Sequence, residues 1–185
     1  VRLYRPDIAI ITVIRSDHSA DFGSRREHVL EKAAIIRDLP ADGWAILNAD
    51  EPDLEVFQAE TRANVCTYGL STHADVRARN VVARGPAPVQ FDLCIAGDSR
   101  RVTTRLHGEH NVYTALGAAA VGHVVGLPID EIAVAVGNIE AVSGRMQFVE
   151  HDDGVRFLLD DFKASVGSLA AIADYLKNFE AGSAK

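Results

Sequence analysis

Residues 8–14, IAIITVI, form an apolar run broken by one threonine and rich in β-branched side chains. Such a run suits a strand buried on both faces, as in a parallel sheet. The next stretch is polar: a loop with Asp17 and His18, then a helical pattern that carries Glu31 and Lys32. An apolar strand ending in a polar, histidine-bearing loop is where an open α/β sheet usually puts its chemistry. The helix has its own start signal. Ser24 is the expected N-cap, and Glu27 stands three residues later, the spacing of a capping box. Val29, Leu30, Ala33 and Ile36 then recur at helical spacing, and the pattern must end before Pro40.

Gly43 precedes a second strand over 44–47. Residues 48–52, NADEP, read as a turn into a helix over 53–61, and a third strand over 64–68 is closed by Gly69. Strand and helix in alternation predict an α/β fold, a mostly parallel doubly wound sheet flanked by helices. From 75 to 106 the pattern changes to three alternating segments separated by turn residues at 85–88 and 97–99, which predicts an antiparallel three-stranded meander. Its many arginines belong on a solvated face and need no ligand.

A helix over 111–125, TALGAAAVGHVVG in its body, is rich in small residues and should pack closely on a neighbour; Gly126 stops it. Pro128 opens a further helix at an early position, where its missing N–H costs little. Residues 141–145, AVSGR, read as a hinge. Strands over 146–150 and 155–159 flank His-Asp-Asp-Gly, a hairpin signal, and DDFKAS leads into a helix over 166–178. The expected division is a central domain over 1–142 and the beginning of a second α/β domain over 143–185. The chain begins at Val1 without Met and stops just after a helical pattern, so the sequence reads as a piece of a longer protein.

Composition narrows the function classes. A formal net charge of −7 argues against a nucleic-acid binder that works by neutralising phosphates. Cys66 and Cys94 lack metal or redox spacing and read as two buried reduced thiols. No apolar run is long enough to span a bilayer, and a cytoplasmic location fits. No Ser-His-Asp, zinc or P-loop motif is present.

Taken singly, the polar residues have ordinary readings. A histidine after a strand is more often a satisfied loop residue than a ligand, and a helix lysine is usually on the surface. Gly144-Arg145 and Asp160-Asp161 read equally as a turn and a helix cap, and His110-Asn111 as a helix start.

Taken in order, five segments resemble the Mur ligase superfamily, the ATP-dependent amide-forming ligases that include the peptidoglycan precursor enzymes and folylpolyglutamate synthase. These are PDIAIITVIRSDH with FGSRREHVLEK, GWAILNADEP, GEHNVYTALGAAA, SGRM and DDFKAS. The resemblance implies that His18 ligates a catalytic magnesium ion, with manganese as the alternative. It implies that Lys32, fourteen residues on, is carbamylated. A carbamate supplies an oxygen ligand suited to a hard cation, and its formation needs a neutral amine, so Lys32 is expected to be partly desolvated. GWAILNADEP is expected to be mainly structural. Asn111 matches an asparagine near the nucleotide base; Thr114 stands where the family has a second one. Arg145 matches an arginine that approaches the ATP phosphates, and Ser143 stands where the family often has proline. Asp161 matches the acid that contacts the ribose, with Lys163 and Ser165 near phosphate or substrate.

The implied reaction uses ATP to turn a substrate carboxylate into an acyl phosphate, which an amine attacks with loss of phosphate. The implied partners are a nucleotide, a UDP-linked precursor or other carboxylate, and an amino-acid or dipeptide acceptor, with neither nucleic acid nor membrane. The family's GxxxxGK(S/T) phosphate loop and second metal-binding acid lie upstream of the matched segments, so the 185 residues alone are expected to be inactive. The FGS loop leans toward the D-alanyl-D-alanine-adding ligases and DFKAS toward the D-glutamate-adding ones. A folylpolyglutamate- or cyanophycin-type ligase of the same fold, or a non-catalytic nucleotide-binding scaffold, are the alternatives.

Overall fold

The computed structural model describes residues 6–14, 24–83, 87–162 and 166–177. One six-stranded sheet runs in sequence order: β1 (Ile8–Ile11), β2 (Trp44–Asn48), β3 (Asn64–Gly69), β4 (Val76–Val82), β5 (Gln90–Ile95) and β6 (Asp98–Thr103). The first three pairings are parallel and the last two antiparallel. Helices α1 (Arg25–Arg37) and α2 (Leu54–Ala59) cover one face, and α3 (Asn111–Val124) and α4 (Ile129–Gly137) the other. A separate hairpin, β7 (Gln147–Glu150) with β8 (Arg156–Leu159), precedes α5 (Val166–Lys177). This is the expected doubly wound architecture, with its meander continuous with the main sheet.

The strand buried on both faces is β2, not β1. Ala45 and Leu47 pack toward α1 and α2, while Ile46, on the opposite face of the pleat, packs toward α3. β1 is the edge of the described sheet and spans only Ile8–Ile11. Ala9 and Ile11 are buried, but Ile10 is exposed and so is Val13 beyond the strand. An apolar run reports that both faces can be buried; whether they are depends on the neighbours.

α1 starts as expected, with Ser24 Oγ accepting from the Glu27 N–H at 3.2 Å. α2 is shorter than expected. Its flanking residue Asp53 makes no side-chain cap and instead binds Arg25. α3 presents its small face to the sheet. A Cβ on Gly117 would lie 3.0 Å from Ile10 Cδ1 and 3.6 Å from the Tyr68 ring, so a larger residue would have to push the end of the Ile10 side chain aside. Val112, Ala115, Leu116, Ala119 and Ala120 are all buried there. Gly126 ends the helix with a positive φ of 87°, its N–H and that of Leu127 returning to His123 and Gly122 as a Schellman cap.

The β5–β6 turn is Ala96-Gly97, both at positive φ, with Ile95 opposite Asp98; β6 therefore begins earlier than the sequence pattern predicts. β4 carries an irregularity between Arg79 and Val82, where Asn80 adopts φ 50° and donates to Asp92 at 2.6 Å. Three of the meander arginines are paired: Arg100 with Asp130, Arg101 with Asp92 and Arg105 with Glu140. Cys66 and Cys94 are both free and buried. No buried side-chain nitrogen or oxygen among the described residues lacks a hydrogen-bond partner, and no described helix is long and apolar enough to cross a membrane.

Candidate functional site

The parallel strands bring their C-terminal ends together, and a single turn, residues 48–53, ties those ends to one another. Asn48 donates to Thr12 O at 3.1 Å and accepts from the Asp50 N–H at 3.0 Å. The Asp50 carboxylate accepts from the backbone of Leu70 (2.6 Å) and Ser71 (3.0 Å), just past β3, and hydrogen-bonds Tyr113 of α3. Glu51 is buried and accepts from the Ile14 N–H at 3.3 Å and from Arg25 at 2.8 Å. Sequence reasoning assigns this stretch to structure and singles out none of Asp50, Glu51, Arg25 or Tyr113. The signal present is a buried strand that ends in Asn48 and is followed, after Ala49, by Asp50 and Glu51.

Burial shapes the titration of the aromatic groups here. It pushes the Tyr68 hydroxyl up to about 12, with Glu51 and Tyr113 adding to the shift. It does the same for Tyr113, helped by Asp50. Tyr68 donates to Ile11 O at 3.4 Å, a further tie between β3 and β1.

Asp17 and His18 lie outside the described residues, as do Lys163 and Ser165. Lys32 is on α1, one turn after buried His28 and one turn before buried Ile36. Its side chain is nonetheless 49% exposed, with Nζ 3.4 Å from Glu31 Oε2. The partial desolvation expected of Lys32 is therefore not supplied by the described residues: it occupies the uncovered margin of the helix's buried row, open to water. Among the described residues no group of three or more His, Cys, Asp or Glu side chains is placed to hold a metal ion. Lys32 is the one described member of the expected ligand pair, and by itself it makes no metal site.

The remaining candidates gather elsewhere. Gly144, at φ 71°, lets the chain cross the strand-end residues Asp160–Phe162 closely: the Phe162 N–H donates to Gly144 O at 3.1 Å. The Met146 N–H donates to Asp160 at 3.1 Å, and the Arg145 guanidinium lies 4.6 Å over the Phe162 ring. Arg145 and Asp161, taken from different motifs, thus meet at one crossing, and both are exposed. Asp160 is the backbone anchor of the pair. Met146 also reaches Gly108, so this crossing abuts the loop that opens α3.

In that loop Asn111 donates to His107 O at 2.7 Å and accepts from Thr114 at 3.4 Å. Its side chain holds the loop. His110 makes no side-chain cap. His107 packs edge-on to Phe148 of β7 with ring centroids 4.4 Å apart, and its Nδ1 lies 3.3 Å from the Tyr175 hydroxyl of α5. Burial lowers the pKa of His107, opposed by a hydrogen bond with the backbone of Ala87. The hairpin and α5 are thereby fastened to the start of α3.

Comparison with known proteins identifies the family and the fold. The Mur ligase middle domain family matches residues 1–122. The UDP-N-acetylmuramate–L-alanine ligase of Xanthomonas axonopodis pv. citri is 38% identical over 142 residues, 76% of this chain and 30% of that protein. The UDP-N-acetylmuramoyl-L-alanyl-D-glutamate–2,6-diaminopimelate ligase of Lactiplantibacillus plantarum is 33% identical over 173 residues, 90% of this chain and 35% of the relative. The chain thus spans about a third of the length of these relatives. MurF from Acinetobacter baumannii superimposes with a TM-score of 0.85 at 24% identity, over 95% of this chain and 38% of that one, a likeness of fold.

Proposed function

Because the chain belongs to the Mur ligase middle domain family, we propose that it works as part of an ATP-dependent ligase that forms an amide bond on a peptidoglycan precursor. The observation that carries this reading is the meeting of Arg145 and Asp161 at one crossing, beside the loop that leads into the first turn of α3, where Asn111 and Thr114 lie. Residues expected to serve one nucleotide from separate motifs are neighbours.

In this reading Arg145 meets the γ-phosphate, its guanidinium steadied over Phe162 and free to pair with phosphate oxygens. Asp161 accepts from the ribose hydroxyls, and Asn111 and Thr114 serve the base. Lys163 and Ser165 contribute near phosphate or substrate. ATP gives its γ-phosphoryl group to a carboxylate oxygen of a UDP-linked precursor. An amino-acid or dipeptide amine then attacks the carbonyl carbon, loses its proton and expels phosphate. His18 and carbamylated Lys32 would share a magnesium ion, which when bound offsets repulsion between anionic substrate and nucleotide. A cytoplasmic site of action belongs to the same reading.

The test is phosphate release by the protein that carries this chain, supplied with ATP, a UDP-N-acetylmuramoyl substrate and candidate amines. Release should require all three components, and Arg145→Ala should lower kcat on the order of a hundredfold, the loss of one charge-stabilising donor. Release indifferent to Arg145 and Asp161, or none with any UDP-linked substrate, defeats the reading.

A further inference from the structure

We propose that His107 is a positioning residue: its carbonyl holds Asn111 while its ring holds the hairpin and α5, so one residue sets Arg145 and Asp161 in place relative to Asn111. The functional weight of this rests on those three residues serving one nucleotide, as the proposed function has it. The contacts themselves are independent of that role.

The two halves of that site belong to different parts of the chain. Asn111 opens α3, whose buried face is part of the main core. Arg145 and Asp161 flank the β7–β8 hairpin, and their crossing is closed by contacts within residues 144–162. Neither β7, β8 nor α5 packs extensively on α3 or on any strand of the six-stranded sheet. Met146 and Tyr175 are buried, yet neither belongs to the apolar clusters on the two faces of that sheet. They belong instead to a small separate cluster around His107 and Gly108, in the loop before α3.

The ring centroid of His107 lies 4.4 Å from that of Phe148 and 6.4 Å from that of Tyr175, both edge-on, with Nδ1 3.3 Å from the Tyr175 hydroxyl. The ring also hydrogen-bonds the backbone of Ala87, shortly before β5. The His107 carbonyl accepts from Asn111 Nδ2 at 2.7 Å. Tyr175 is 4% exposed, while Leu169 and Leu176 of the same helix are open to water, so α5 is seated through Tyr175. Phe148 and Tyr175 also meet each other, but both lie on the hairpin side, and that contact fastens nothing to α3. Met146, lying against Gly108, gives a second point of contact. Two points set an orientation that one does not, and the crossing at Arg145 and Asp161 follows the orientation of the hairpin it flanks.

The experiment compares the wild type with His107→Ala and Tyr175→Phe. Burial pushes the Tyr175 hydroxyl up to about 12 and keeps it unreactive while the cluster is closed. Tyr68, also pushed up to about 12 and buried in the main core, is the reference. In His107→Ala, nitration of Tyr175 by tetranitromethane should rise by about tenfold relative to Tyr68, the loss of one hydrogen bond and two edge-on ring contacts. In Tyr175→Phe, which removes only the hydroxyl, the nitrogen NMR signal of His107 Nδ1 should shift. Tyr175 nitration in His107→Ala that stays at the wild-type rate, or that rises only in step with Tyr68, overturns the proposal. So does an Nδ1 signal unmoved by Tyr175→Phe. The functional readout uses the protein that carries this chain. His107→Ala should raise the KM for ATP by about tenfold, the effect of a small misplacement, with smaller changes in kcat and in the KM for the UDP-linked substrate. A variant that merely folds less well loses kcat instead. An unchanged KM for ATP alongside a reactive Tyr175 overturns the positioning role. If the wild type does not use ATP while the Tyr175 and Nδ1 readouts respond, the ligase reading falls and His107 stands as the joint between α3 and the hairpin.

Discussion

Gly144 and Asp161 are in a contact that no larger residue at 144 can keep: a Cβ there would stand 2.6 Å from Asp161 Oδ1. The same glycine holds φ 71°. Gly144→Ala therefore meets a backbone cost of about 1–2 kcal/mol for the left-handed conformation and displaces Asp161 as well. Amide exchange at Phe162, whose N–H donates to Gly144 O, should accelerate by about tenfold or more for that cost. In the proposed ligase the variant should raise the KM for ATP more than it lowers kcat.

Leu116 is fully buried between α3 and the sheet. Leu116→Ala removes contacts in a core that cannot close around the gap and should cost about 2–5 kcal/mol. Urea denaturation should show a lower midpoint with an unchanged slope. Val134, on α4 and largely exposed, is the matched control: Val134→Ala should change stability by no more than about 0.5 kcal/mol.

His107 gives the fold a dependence on acid pH. Burial holds its folded pKa below the usual value, so the neutral ring is the form that packs on Phe148 and Tyr175. The stability it contributes is complete above the unfolded value of about 6.5. As pH falls below that, the unfolded chain binds the proton first, and stability is lost down to the folded pKa. The thermal midpoint should drop between neutral and mildly acidic pH, and His107→Phe should flatten that drop. An imidazole titration of His107 with a midpoint above 6.5 would contradict the packing described.

At the alkaline end the first of the shifted groups to act is Cys66, ahead of the buried tyrosines. Its thiol is pushed up to about 11, first by burial and then by Asp75. The protonated thiol is favoured by folding, so its contribution is full below the unfolded pKa, about 8.5, and is lost as pH rises toward the folded value. A thiol reagent at mildly alkaline pH should modify Cys66 in denaturant far faster than in buffer. Equal rates in the two would show that the strand does not seal the thiol.

Much of the fold is legible in the sequence, and the misses share a physical cause. The helix start at Ser24, the small-residue face of 111–125 and the stop at Gly126 are local signals, and they appear where the spacing puts them. The apolar run at 8–14 predicts burial on both faces, yet β2 holds that place, because burial is decided by which strands lie alongside. Arg145 and Asp161 each stand out in their own motif. Their meeting follows from the hairpin register, with Gln147 opposite Leu159, which sequence spacing does not state. Asp50 and Glu51 do not stand out, because NADEP satisfies every expectation of a turn. Their partners, Leu70, Tyr113, Ile14 and Arg25, are brought to them only by the assembled sheet. Lys32 lies on its helix as the spacing predicts, but its exposure depends on what covers α1, and that is not encoded in the helix itself.

The Ala96-Gly97 turn has a consequence for the order in which the molecule folds. It joins β5 to β6 through two residues, so this pairing closes the shortest loop in the sheet and can form in about 1–10 μs, the range of hairpins. The β1–β2 and β2–β3 pairings on the other side must first bring together residues separated by a helical crossover: Ile8 finds Trp44, and Trp44 finds Asn64. Such non-local contacts are slow because their closure entropy is lost before any contact repays it. The antiparallel half is therefore the early template, and the rim where Asn48, Asp50 and Glu51 gather their partners is completed late, after the strands it joins have found one another.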